Sequence, residues 1–220
     1  MNAKQWDAET RRAQYMADTL EELGVQRSKG GRRKLRLYAV GCCRRVWELL
    51  PDDRLRKAVE VAERFADEEV DKAKLLAAEK RVRPLEADDY FPRLPARAAR
   101  AVGMAVAACG ESASNAAFVM TALLPTPIAD GAKGDRVLCD LLRCVFGNPF
   151  KKPEFNKKWR TESVTALASG IYADHAFDRL PILADALEEA GCDDPAMLTH
   201  LRGPGPHCRG CWVLDLALGR

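Results

Sequence analysis

Apolar side chains recur at intervals of three and four along most of this chain. That spacing places them on one face of a helix and predicts helices that bury that face. Over 7–23 the stripe is Ala8, Arg12, Tyr15, Met16, Thr19, Leu20 and Leu23, and Gly24 is expected to stop it. From 33 to 50 two stripes lie side by side, Leu35–Tyr38–Cys42–Val46–Leu49 and Ala39–Cys43–Trp47–Leu50. The polar face left over (Arg36, Arg44, Arg45, Glu48) is narrow, so this helix must be enclosed by others. Asp52 or Asp53 is expected to cap the next helix, with Leu55, Ala58, Val59, Ala62 and Phe65 inward. Glu60–Arg64 and Glu68–Lys72 have the i,i+4 spacing of ion pairs along its outer side. Helix resumes over 70–82.

Pro84, Pro92 and Pro95, with Glu86, Asp88 and Asp89 among them, interrupt the pattern between 83 and 96. The alanine-rich run 96–124 predicts helix by propensity, and 123–135 predicts a second loop. Beyond it, 137–146 is a helix ended by Gly147, and Asn148–Pro149 cannot continue it. Thr161 caps a helix carrying Val164, Leu167, Ala168, Ile171 and Tyr172. Pro181 opens another, with Ile182, Leu183, Ala186 and Leu187 inward and Gly191 at its end. Asp194–Pro195 starts a short helix to about Leu201, because proline in the first turn loses no hydrogen bond. A closing helix is expected over 212–219. Nothing alternates strictly enough for a strand, and no repeat of fixed period is present. The expected fold is all-α, an irregular bundle of about eight or nine helices in two packed halves. The halves are 1–82 and 132–220, joined by a Pro/Ala-rich connector with one helix over 83–131.

Composition narrows the picture slightly. The chain is 47% hydrophobic and 30% charged, as a globular protein is. A net charge of +3 creates no global field for nucleic acid or anionic membrane. The opening MNAKQWDAETRR lacks the apolar core of a secretion signal. Glu111, Ser112, Ser114 and Asn115 break up 101–124, so no membrane span is expected. Eight cysteines without a secretion signal point to the cytoplasm and to free thiols. Cys42, Cys43, Cys139 and Cys144 fall in apolar helical runs and read as core residues.

The chemistry-bearing residues gather near the end of the chain. Cys192, His200, His207 and Cys211 have the spacing C-x7-H-x6-H-x3-C, each at a helix end. Converging helix ends would bring the four within tetrahedral reach, and zinc suits such a sulfur–imidazole set. Cys208 could replace Cys192 or one histidine, since Cys208 and Cys211 form a C-x-x-C. The competing view is a packed helical end, with buried thiols and His207 on a backbone carbonyl. A third view is an enzyme in which Cys211 is the nucleophile and His207 its base. No catalytic triad, phosphate loop or paired-carboxylate set can be placed, and no catalytic residue is assigned. A non-enzymatic interaction or scaffold protein with a protein partner is the leading expectation.

Basic residues are unevenly distributed. From Arg27 to Trp47 there are eight and no acid, including Arg32, Arg33, Lys34, Arg36 and Arg44. Lys151, Lys152, Lys157, Lys158 and Arg160 are interleaved with Phe150, Phe155 and Trp159. Basic plus aromatic is the make-up of a single-strand nucleic-acid surface, and the glycines of RSKGGRRK suit phosphate. The alternative is a solvated face with its aromatics in the core. A helix-turn-helix over 180–202 is not expected, because its second helix, PAMLTHL, is short and carries no basic residue before Arg202.

Five segments, KLRLYAVGCCRRVW (34–47), VEVAERFAD (59–67), LLRCVFGNPF (141–150), AFDRLPILADALEEAGC (176–192) and HLRGPGPHCRGCWVLDLALG (200–219), resemble a bacterial family abundant in planctomycetes. The resemblance covers about two-thirds of the chain and omits 83–135. RLPILADALEEAGCDDPAML is also similar to the short helical repeat-companion domain of the same bacteria. The family pattern implies motif positions at Cys192, His200, His207 and Cys211, whereas Cys208 departs from it; this favours Cys192 over Cys208 as a ligand. The resemblance implies no activity, cofactor or partner.

Overall fold

Side-chain caps set most helix starts in the computed structural model, which describes residues 1–86, 96–123 and 132–220. Asn2 and Gln5 form a reciprocal capping box at the start of α1 (Ala3–Ala8). Helix α2 (Ala13–Glu22) is followed by Gly24 in the left-handed region, φ +72°. Ser28 caps α3 (Lys29–Arg45), Asp52 caps α4 (Asp53–Ala66) and Asp71 caps α5 (Lys72–Val82). Next come α6 (Ala96–Cys109) and α7 (Ala113–Leu123), with the Ser112 hydroxyl accepting the Asn115 amide at 3.1 Å. Helix α8 (Ala132–Phe146) runs up to Gly147. Thr161 caps α9 (Glu162–Asp174), and Pro181 stands in the first turn of α10 (Leu180–Glu189). Asp194 caps α11 (Pro195–Arg202), and Cys211 is the residue before α12 (Trp212–Leu218).

The all-α class holds, and among the described residues there is no strand. Among the described residues there are twelve α-helices rather than eight or nine. Two features account for part of the difference. The six-residue α1 is too short to show a stripe, and a serine cap after Gly110 divides the alanine-rich run into two helices. Of the loops expected over 83–96 and 123–135, residues 87–95, with Asp88, Asp89, Pro92 and Pro95, and 124–131 lie outside the described residues, and helix already begins at Ala132.

Helix α3 is the axis of the core. Leu37, Tyr38, Ala39, Val40, Cys42 and Cys43 on it are buried, and α4, α6, α7 and α8 all pack against it. Helices α6 and α7 thus contribute to the core. Enclosure of α3 extends even to Arg36, expected on the polar face. Its guanidinium donates to the carbonyls of Ala108, Gly110 and Glu111, which the end of α6 leaves without helical partners. Burial pushes the Cys42 and Cys139 thiols up to about 12, so both remain neutral and pack as small apolar groups. Ile182, expected inward, is 54% exposed.

An ionic seam crosses this apolar interior. Glu63 and Asp67 stand one turn apart on the inner side of α4. Asp67 accepts from Arg33 Nε at 3.0 Å and from the Tyr172 hydroxyl at 2.7 Å, with Arg220 and Arg209 at 3.4 and 3.6 Å. Arg33 also reaches Asp215 on α12 at 2.6 Å. Glu63 accepts from Arg44 at 2.8 Å and faces His175 Nε2 at 3.1 Å. The outer pairs differ from those expected: Glu68 binds Lys29, Arg64 binds Glu69, and Lys72 binds Glu111. The helix stops at Ala66 and Glu68 is left-handed at φ +62°, so Glu68 and Lys72 do not share a helical face.

Glu63 gives the seam a pH signature. Burial alone would raise its carboxyl pKa, but His175 and Arg44 outweigh burial and hold it below the ordinary value of 4.5. A lowered folded-state value means the contribution is complete above the ordinary carboxylate range and is lost as pH falls through the folded value. Glu63→Gln is expected to cost about 1–3 kcal/mol at neutral pH. Urea unfolding of both proteins should show that gap closing as pH falls below the ordinary carboxylate range; a gap that persists in acid would contradict the assignment.

Candidate metal centre

Helices α8, α11 and α12 and the loop 203–211 meet at one point, and each contributes a donor there or at its edge. Cys144 lies in the last turn of α8, His200 in the last turn of α11, and His207 in the loop. Cys211 is the residue from which α12 starts. Their four ligand atoms all lie within 4.8 Å of one another. Two glycines permit the approach. Gly147, φ +63°, ends α8, and a Cβ there would come within 3.2 Å of the Trp212 ring. Gly210, φ +83°, lets the Cys208–Cys211 turn lie against α3, where a Cβ would come within 2.8 Å of Leu37. Trp212 in turn stands against the His200 ring at 5.7 Å between centroids.

Two of the separations match those around a tetrahedral ion. Zinc bonds of about 2.3 Å to sulfur and 2.0–2.1 Å to nitrogen put neighbouring donors roughly 3.3–3.8 Å apart. His200 Nε2 is 3.3 Å from Cys211 Sγ, and His207 Nδ1 is 3.7 Å from Cys144 Sγ. The outer nitrogen of His207 donates to the Gly203 carbonyl at 3.2 Å. That bond assigns the proton to Nε2 and leaves the Nδ1 lone pair facing the sulfurs, the usual support for a metal-bound imidazole. Burial opposes a charge on His207, but its contacts with Cys211 and Gly203 prevail and raise its pKa. Lys34 is half-buried, and burial lowers its pKa.

Three of the four residues expected from sequence meet here, and Cys192 does not. The α10 helix ends in a Schellman motif at Gly191, φ +90°, with Gly191 N–H on Glu188 O and Cys192 N–H on Leu187 O, both at 2.9 Å. This turn folds Cys192 back onto the helix it has just left, where it is buried as the motif's apolar residue. Cys144, read as core, takes its place. No local spacing could reveal it, because it belongs to a different segment of the chain. Cys208 is outside the donor set but adjoins it. The Cys211 amide donates to the Cys208 carbonyl at 3.1 Å.

The nucleophile arrangement at Cys211 and His207 lacks an activated thiol. Cys211 is fully buried, and burial together with its hydrogen bond to Cys144 pushes the thiol up to about 11. A thiolate nucleophile requires the opposite, a depressed pKa and access.

The basic residues are mostly committed inside the fold. Arg33 and Arg44 bind the seam carboxylates, Arg36 caps α6, and Arg160 donates to the Leu216 and Ala217 carbonyls at the end of α12. Lys34 is half-buried. Arg32 is exposed, yet donates to the Gln26 and Arg27 carbonyls. Lys157 and Lys158 are exposed on a short turn. Phe155 and Trp159 pack edge to face on one another, 5.5 Å apart, and not as a stacking platform.

These observations define an all-α protein with a candidate Cys2His2 metal centre. No known protein family, curated protein or solved structure matches the chain. Among the described residues no helix is long and apolar enough to cross a membrane.

Proposed function

We propose that this chain is a non-catalytic helical interaction module, held in shape by one zinc ion at Cys144, His200, His207 and Cys211. The observation that carries this reading is the convergence of two thiols and two imidazoles, all within 4.8 Å, from separate segments of the chain. Four protein donors fill a tetrahedral ion and leave no position for water or substrate, which is the structural class of zinc site. The metal would tie the C-terminal helices to α8, as two thiol protons are displaced and folding is coupled to binding. Zinc needs no redox chemistry in this role, and a reducing compartment such as the cytoplasm suits eight cysteines with no disulfide among them. The partner of such a module is expected to be a protein. Nucleic acid is not favoured, because most of the arginines that would grip phosphate already hold internal carboxylates and carbonyls.

Elemental analysis of tag-free protein tests the reading. One equivalent of zinc per chain is expected, removed by a strong chelator with a marked fall in melting temperature. Protein that carries no metal as purified, and takes up none on dialysis against zinc, would overturn it.

A further inference from the structure

An open cleft and an exposed segment of this chain have complementary chemistry. The cleft runs along α11, has a volume of about 440 Å³, and is lined by Pro195, Leu198, Thr199, Arg202 and Gly203. Arg202, its one charged residue, donates to Asp185 at 2.7 Å and to Glu188 at 2.5 Å, both on α10. Two carboxylates against one guanidinium leave that rim negative. From 180 to 206 there are five acids, Asp185, Glu188, Glu189, Asp193 and Asp194, and Arg202 is the sole arginine or lysine. The segment 150–158 has the opposite character. It carries Lys151, Lys152, Lys157 and Lys158 against one acid, Glu154. Phe150 beside them is 37% exposed, whereas Phe155 and Trp159 are half-buried and packed on one another. Lys151 reaches Asp7 on α1 at 2.9 Å. Lys152, Lys157 and Lys158 are exposed and make no ion pair among the described residues.

We infer that the protein partner is a second copy of this chain, whose 150–152 run seats in the α11 cleft. The inference rests on the reading of the chain as an interaction module and draws nothing from its metal. Pro195 and Leu198, three residues apart on one helix, offer an apolar wall to the Phe150 ring. The lysine ammoniums meet the carboxylates that Arg202 leaves unneutralised. Exposed charges of this kind add little affinity singly, but they steer the encounter and fix its orientation. Cleft and segment are different surfaces of one chain, so the contact is head to tail. Each added copy presents a new cleft at one end and a new segment at the other.

Sedimentation velocity on the full chain tests this, with zinc content measured on the same samples. Average mass is expected to rise with concentration up to about 1 mM in low salt. It should return to the monomer in about 1 M salt, where the screening length falls to about 3 Å. Thr199→Arg places bulk and positive charge in the cleft, and Phe150→Ser with Lys152→Glu strips the segment. All three positions are exposed, so both variants are expected to fold and to stay monomeric. When they are mixed, the first still offers its segment and the second its cleft. A one-to-one dimer and nothing larger is expected. A monomeric wild type, association undiminished by salt, variants that still self-associate, or a mixture that stays monomeric would each overturn the inference. Zinc content separates the two readings. A zinc-loaded monomer overturns this inference alone, and a zinc-free protein that associates as described overturns the metal reading alone.

Discussion

Cys144→Ser is expected to strip the metal from the protein, whereas Cys192→Ser leaves it bound. Both cysteines are buried, so the local cost of placing a hydroxyl among apolar groups is similar at the two positions. They differ in position: Cys144 belongs to the donor set, and Cys192 is held outside it by the Schellman turn after α10. Loss of a mere supporting hydrogen bond costs a metal site about 10–100-fold in affinity, and loss of a direct donor should exceed that. Structural zinc contributes roughly 10–16 kcal/mol to the folding of small finger peptides, so this substitution should also lower the melting temperature strongly. A competition titration against a chelator of known affinity reads the first effect and a thermal scan the second. Zinc retained by Cys144→Ser and lost by Cys192→Ser would restore the ligand set expected from sequence.

Arg33→Met should be the most damaging single change outside the metal centre. It leaves two carboxylates, Asp67 and Asp215, with side chains 1% and 3% exposed, without their main counter-ion. Breaking a buried pair from one side costs about 3–5 kcal/mol, since the remaining charge can neither reach water nor find a partner. Asp67 keeps Arg209, Arg220 and Tyr172, so most of the loss is assigned to Asp215. Arg33 joins Asp67, Tyr172 and Asp215 through three different nitrogens, a fork that an ammonium cannot reproduce. Arg33→Lys should therefore recover only part of the stability. Urea unfolding midpoints measure both; a loss below about 1 kcal/mol for Arg33→Met would mean that the seam is ornamental.

Much of this architecture can be read from local chemistry. Gly24, Asp52, Thr161, Asp194 and Gly147 each bound a helix where their side-chain or backbone preferences place them, because capping depends on neighbours only a few residues away. Long-range pairing depends on the packing instead and was hidden. Arg36 looks like a surface residue until α6 covers it, and Arg33 looks like part of a phosphate site until α4 and α12 bring carboxylates to it. Cys144 illustrates the same limit within the centre. Three of the four donors lie close enough in sequence to suggest one another, and the last comes from a helix that only the fold delivers. Cys192 was attractive because it is near in sequence, but the Schellman turn at Gly191 sends it elsewhere.

Because the donors sit at 144 and at 200–211, a bound ion would make the stretch between them, with α9 and α10, into a ring. The exposed run 151–154 lies on that ring. A protease cut there would open the backbone without freeing either piece, since the two fragments would still share the ion. Chelation would then leave the two pieces joined only by the packed core and by the Arg33–Asp215 and Tyr172–Asp67 contacts.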